Sequence, residues 1–164
     1  MSTSTSLMPL RIVVDSREQN PFPFAGLPVV VSVGTLEAGD YSLAGFERKV
    51  AVERKELGDL IGCLSVERER FERELVRLRG YDCAAVVVEA PVADLRAGRY
   101  RSRLDAGAAW QSVLAFTQRF RVPFLFCADR AEAEAATFDL LRHYARDRWR
   151  ELQALTVVNK GGAA

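Results

Sequence analysis

Gly39 to Leu60 reads GDYSLAGFERKVAVERKELGDL, and this stretch decides the fold. Gly39–Ala44 and Lys49–Arg54 form two short runs that read as a strand and its return, and Gly45 marks a turn between them. The segment is therefore expected to be a β-hairpin. With the hairpin centred between Phe46 and Glu47, Asp40 stands opposite Glu53. Cross-strand neighbours hold their Cβ atoms about 4.5–5.5 Å apart. Two carboxylates placed so close repel, and a divalent cation shared by their oxygens is the economical compensation.

The stretch also writes Glu-Arg-Lys twice, at Glu47–Lys49 and at Glu53–Lys55. The copies differ in geometry. Glu47 falls in the turn, cannot face Asp40 and reads as a solvated loop tip. In the second copy, strand alternation puts Glu53 and Lys55 on one face. Arg54 points to the other face with Val50 and Val52. Acid, acid and ammonium then surround one point, with Asp59 following in the first turn of the next helix. Phosphodiester hydrolysis uses these groups: a metal to polarise the phosphate and a lysine to steady developing charge.

Outward from the hairpin, Leu10–Asp15 (LRIVVD) reads as a buried strand ending in Asp15-Ser16-Arg17-Glu18. The Asn20–Phe24 stretch, with two prolines, is a loop. A second strand is expected near Val29 to Val33. From Leu57 to Arg79 the pattern predicts one helix, with Leu60, Cys63, Leu64, Phe71, Leu75 and Leu78 on a single stripe. CAAVVVE, Cys83 to Glu89, reads as a strand covered on both faces. Pro91 to Asp105 is a polar, basic connection with room for a short helix. Ala106–Phe120 is expected to be a helix with Trp110, Val113, Leu114 and Thr117 inward. Pro123–Phe126 is a further buried strand. Asp129 caps a last helix that runs through Phe138, Leu141, Tyr144 and Trp149. Strands lead and then alternate with helices, which predicts an α/β fold: a central mixed β-sheet flanked by helices on both faces. Polar residues at the strand ends place function at the sheet edge.

The 164 residues suit one domain with a real core. The expected organisation is a flexible N-terminus over 1–9, a single domain over 10–152 and a flexible tail over 153–164. At 49% hydrophobic and 27% charged, the composition is that of an ordinary soluble globule, with neither a membrane span nor a signal peptide. Cys63, Cys83 and Cys127 read as buried free thiols, which fits a reducing cytoplasm. One histidine and no Cys-x-x-Cys argue against structural zinc. The net charge of +1 does not advertise nucleic acid, but only Lys49, Lys55 and Lys160 of the 23 basic residues are lysine. Guanidinium suits phosphate geometry; codon bias explains the same excess.

Asp40 followed by Glu53-Arg54-Lys55-x-x-x-Asp59 resembles the Gly-Asp … Glu-Arg-Lys-x-x-x-Asp signature of the XPF-type structure-selective endonucleases. That family lies within the restriction-endonuclease-like PD-(D/E)xK class. Asp15 with Glu18, Arg70-Phe71 with Arg77-Leu78, VVVEA ending at Glu89-Ala90, and VPFLFC extend the resemblance from about residue 11 to 150. It implies a Mg²⁺- or Mn²⁺-dependent DNA endonuclease acting in repair or recombination on branched or flap DNA. Asp40 and Glu53 would hold the metal, with Asp15 or Glu18 contributing directly or through water. Lys55 would orient water or stabilise charge. Arg54 would brace the site from the opposite face, with Asp59 as its partner, or form a structural salt bridge.

Arg17 and Arg70 are candidate DNA contacts. So is the basic run Arg99, Arg101, Arg103, which tracks a backbone or is simply an exposed loop. Acids interleave with the arginines of the Arg70 helix, so a self-paired, solvated face is the competing reading there. Glu74 stands where family members often carry glutamine; it alters the metal environment or faces solvent. Relatives append helix-hairpin-helix domains, and none is expected in this chain. Expected partners are DNA, a second subunit in a homodimer or heterodimer, and a separate targeting protein, in the cytoplasm or at the nucleoid. The alternative function is a non-catalytic DNA-binding or scaffold domain of the same fold, since inactive partners occur in the family.

Overall fold

A computed structural model describes residues 9–156. The terminal segments expected to be flexible fall largely on 1–8 and 157–164, outside the described residues. Eleven elements follow in order: β1 (Leu10–Asp15), β2 (Val29–Gly34), β3 (Tyr41–Leu43), β4 (Val50–Lys55), α1 (Leu57–Leu64), α2 (Arg68–Arg79), β5 (Cys83–Val88), α3 (Val92–Arg96), α4 (Ala106–Phe120), β6 (Phe124–Phe126) and α5 (Arg130–Leu155). The strands form one six-stranded sheet in the order β2-β1-β3-β4-β5-β6. β3 runs antiparallel to both neighbours, and the remaining pairs are parallel, so the sheet is mixed as expected.

Strand alternation divides the core in two. Ala51, Val86 and Val88 face α1, α2 and α4, where Leu60, Phe71, Leu75 and Phe116 are buried. Val50, Val52 and Val87 face the opposite way, against Phe138, Leu141 and Tyr144 of α5 and the loop residues Phe22 and Phe24. Each such apolar side chain contributes about 1.5–3 kcal/mol when removed from water. Helices thus cover both faces of the sheet.

The single helix expected over 57–79 is two. Gly58 and Gly62 weaken the first segment. At its end the Ser65 hydroxyl donates to the Ile61 carbonyl (2.7 Å), competing for a helical acceptor, and Ser65 leaves helical geometry. All six residues of the expected stripe are nevertheless buried. In α4 the inward residues are Ala109, Val113, Phe116 and Phe120, while Leu114 is 43% exposed. Trp149 is 58% exposed, and residues 150–155, in the last turns of α5, are exposed as well; residues 153–155, expected in the tail, continue that helix. β2 is an exposed edge strand, with Val30, Val31 and Val33 open to solvent.

Candidate active site

The β3–β4 pair is in the expected register: Tyr41 lies opposite Val52. Asp40 sits one residue beyond the strand. Its N–H donates to the Val52 carbonyl (2.9 Å), and its own carbonyl accepts from Asp15 N–H (2.8 Å). The residue is thus pinned between β1 and β4. Gly39 makes this possible. Its φ is +77°, and a Cβ there would come within 2.9 Å of Ala51 Cβ and 3.2 Å of the Val52 carbonyl oxygen. Only glycine lets the chain turn this close to β4.

Asp40 Oδ2 accepts the Arg54 backbone N–H (2.8 Å). Burial, with the nearby charges of Glu18 and Glu74, pushes its carboxyl up to about 6 against the pull of that N–H and of Lys55. Glu53 is 3% exposed. Burial first, then the Asp40 charge, pushes its carboxyl well above the ordinary range. Glu53 Oε1 is paired with Lys55 Nζ. Glu53 Oε2 is buried and meets no N–H or O–H donor among the described residues. Glu74, on α2, approaches closely enough to share a proton with Glu53; with both groups ionised that contact is repulsive. Burial works against the Lys55 charge, but Glu53 outweighs it and holds the ammonium protonated. The Lys55 ammonium lies over the Phe71 ring, 5.5 Å from Nζ to centroid. Buried Cys63 is close enough to feel the Lys55 charge, and burial pushes its thiol up to about 11.

The acids of β1 are placed differently. Asp15 Oδ1 accepts from Arg17 N–H and Nε (both 2.8 Å), and Oδ2 accepts from Arg17 Nη2 (3.0 Å) and Leu36 N–H (2.7 Å). Burial works to raise its pKa, but these donors hold it below the ordinary value. Glu18 Oε1 accepts from Asn20 N–H (2.7 Å) and lies 3.6 Å from Arg54 Nη1.

Arg54 does not pair with Asp59. Its Nε meets Glu89 Oε1 at 2.5 Å, and its Nη2 meets Glu56 Oε1 at 3.0 Å and Glu89 Oε2 at 3.2 Å. The reason is the alternation itself. Arg54 points to the α5 side, whereas Asp59 is exposed on the first turn of α1. Glu89 also accepts from Arg130 Nη1 (2.7 Å). The sequence did not single out Glu89 as the partner of Arg54, nor Arg130 as a second partner of Glu89. An acid ending the apolar run of β5, beside Lys55, was the available signal for Glu89. Arg130 carries no local signal, because its partners are 41 residues and more away.

Asp15, Glu18, Asp40, Glu53, Arg54 and Lys55 open into a cleft of about 750 Å³. Its walls carry eight carboxylates (Asp15, Glu18, Glu37, Asp40, Glu53, Glu56, Asp59, Glu74) against five cations (Arg17, Arg54, Lys55, Arg70, Arg77). Arg70 is already paired with Glu67 (2.6 Å), as a self-paired helix face would have it. Arg77 lines the cleft with no ion pair within 4.0 Å among the described residues. Arg99, Arg101 and Arg103 do not line it; they follow α3, beyond the end of β5, and Arg99 pairs with Asp94 (2.7 Å). Glu47, of the first Glu-Arg-Lys copy, turns back to accept from Gly45 N–H (3.0 Å). Among the described residues no three His, Cys, Asp or Glu side chains are already gathered to hold an ion.

Fold and site together define a mixed-sheet α/β domain of the XPF nuclease type. The ERCC4 domain family matches residues 14–139, and the chain belongs to it. The structure is similar to XPF from Aeropyrum pernix at 25% identity and a TM-score of 0.66, over 82% of this chain and 61% of that one. It is similar to the DNA complex of Aeropyrum pernix XPF at 25% identity and a TM-score of 0.67, over 93% and 76%. A protein of Methanocaldococcus jannaschii named "Putative ATP-dependent RNA helicase MJ1505" is 30% identical over 133 residues, 81% of this chain but 15% of that protein. The chain thus spans about one seventh of that relative.

Proposed function

We propose that this chain is a divalent-metal-dependent DNA endonuclease. The observation that carries the reading is Glu53 Oε2: a buried carboxylate oxygen with no donor among the described residues, near a second carboxyl from Glu74, in a cleft where acids outnumber cations. Such an oxygen needs a proton or a cation. A phosphodiester carries negative charge and would be repelled from these walls unless a cation entered with it. The donors are all oxygens, which suits Mg²⁺ or Mn²⁺. Two carboxylates with substrate phosphate and water is a usual arrangement for Mg²⁺, so no ready-made cage of three acids is required. The similarity to a solved XPF–DNA complex supports DNA as the substrate.

In this reading Asp40 and Glu53 hold the ion, with Glu18 and Glu74 at its margin. A bound ion would supply Lewis-acid polarisation of the scissile phosphate. Lys55 keeps its proton and aims an ammonium at the charge that develops on the phosphate oxygens. Asp15, with its acceptors filled, anchors Arg17 and the Leu36 turn rather than touching the ion. Arg17 and Arg77 take phosphate oxygens at the mouth, and Arg101 and Arg103 meet the duplex farther out.

The absence of a gathered acid trio among the described residues favours one rival, a DNA-binding domain that does not cut. Linear, nicked, flap and junction DNA, each with Mg²⁺, Mn²⁺ or chelator, separate the two. Cleavage that requires the cation and disappears in Glu53→Gln upholds the nuclease. DNA binding that survives chelation, without nicking under either metal, sinks it. The same panel reads the preference for flaps or junctions.

A further inference from the structure

We propose that Arg130 is a positioning residue for this site: acting through Glu89 and Arg54, and on the loop backbone, it fixes Glu18 beside Asp40. The inference rests on the reading above. Arg130 opens α5, on the side of the sheet away from Glu53 and Lys55. Its Nη1 donates to Glu89 Oε1 (2.7 Å). Its Nη2 donates to the carbonyls of Asn20 (2.8 Å) and Pro21 (3.0 Å).

Both ends of this fork lead to Glu18. Glu89 receives Arg54, and Arg54 Nη1 faces Glu18 Oε1 at 3.6 Å. Asn20 donates its N–H to that same Glu18 oxygen. Side chains of Arg54, Glu18 and Glu89 are each 8% exposed or less, so screening by solvent is weak. The loop has few other anchors. Pro21 and Pro23 have no N–H, leaving Phe22 N–H on Tyr41 Oη (2.9 Å) and Phe24 N–H on Glu134. Phe22 stacks on Tyr41 (5.1 Å between centroids), and the Arg130 guanidinium lies over the Phe22 ring at 4.8 Å. One planar fork thus meets a carboxylate, two carbonyls and a ring. An ammonium is a point charge and cannot satisfy that set together.

Arg130→Gln and Arg130→Lys test this in the full chain. Arg130 is about one-third exposed, so both should fold. In chelator, NMR hydrogen exchange at the Asn20 and Phe22 amides should rise in Arg130→Gln. The Mn²⁺ concentration giving half the thermal shift, measured without DNA, should rise on the order of 10-fold or more, the scale for removing a group that orients a ligand. DNA affinity in chelator should stay within about twofold, and Arg130→Lys should restore neither property. Unchanged exchange overturns the proposal. So does an unchanged Mn²⁺ midpoint, or full recovery by lysine. If the parent chain shows no response to Mn²⁺, the nuclease reading is what fails. The exchange arm then decides alone: faster exchange upholds the loop clamp, and unchanged exchange removes it.

Discussion

Glu53 and Lys55 share one face of β4 and form an ion pair. Glu53→Gln and Lys55→Ala should each lower cleavage on the order of 10²-fold or more, the scale for losing a preorganised charge-stabilising group. Glu47→Gln should cut at nearly the parental rate, since that carboxylate is spent on a turn amide. Single-turnover rates with Mn²⁺ check all three, and equal losses at Glu47 and Glu53 would refute the assignment. A pH effect follows from Asp40. Its folded pKa of about 6 lies above the ordinary 3.8. The folded state therefore binds more protons than the unfolded state between these values. Its contribution to stability is fully present below about pH 3.8, is lost as the pH rises through about 6, and then levels. Calorimetry in chelator should show the melting temperature of the parent falling relative to Asp40→Asn across that window. A constant difference between them would contradict the burial of that charge.

At the scale of elements, the hairpin was the most legible part of the sequence. Its register followed from a turn glycine and one symmetric count, and Tyr41 does face Val52. The α4 boundaries and the Asp129 cap were also legible, since caps and apolar periods are local signals. What escaped was set by distant packing. Nothing local says that Leu114 or Trp149 faces water. The partner of Arg54 was misjudged for the same reason: Asp59 is near in sequence, whereas Glu89 arrives from β5. For Asp15 the sequence showed its spacing from Glu18, but not the four hydrogen bonds that its oxygens accept from Arg17 and from Leu36, 21 residues on. Gly39 is the element-scale test. Gly39→Ala forces a left-handed φ on a side chain that also meets Ala51. The cost should be on the order of 2 kcal/mol or more by denaturant titration, with cleavage falling further than stability alone explains, because Asp40 is displaced. A stability change under about 0.5 kcal/mol would mean that the close approach is not rigid.

The whole molecule carries a near-neutral charge unevenly. Acids outnumber cations in the cleft, and Arg101 and Arg103, which do not line it, make no ion pair within 4.0 Å among the described residues. DNA affinity should therefore depend steeply on salt even though the net charge is only +1. Replacing Arg101 and Arg103 by alanine should reduce the slope of log affinity against log salt by about 1 for each phosphate no longer neutralised. Arg99→Ala should change it less, since Asp94 already holds that guanidinium. Fluorescence anisotropy across a salt series, in chelator, measures these slopes; parental slopes in the double variant would remove the outer loop from the DNA path.

Cys63 offers a different use of the same architecture. The residue is buried on α1, near enough to Lys55 to feel its charge, and a thiol reagent attacks only the thiolate, which burial suppresses here. Alkylation at neutral pH must then wait for α1 to lift from β4. With Cys83 and Cys127 replaced, the labelling rate of the remaining sulfur becomes a clock for how often the floor beneath Glu53 comes apart.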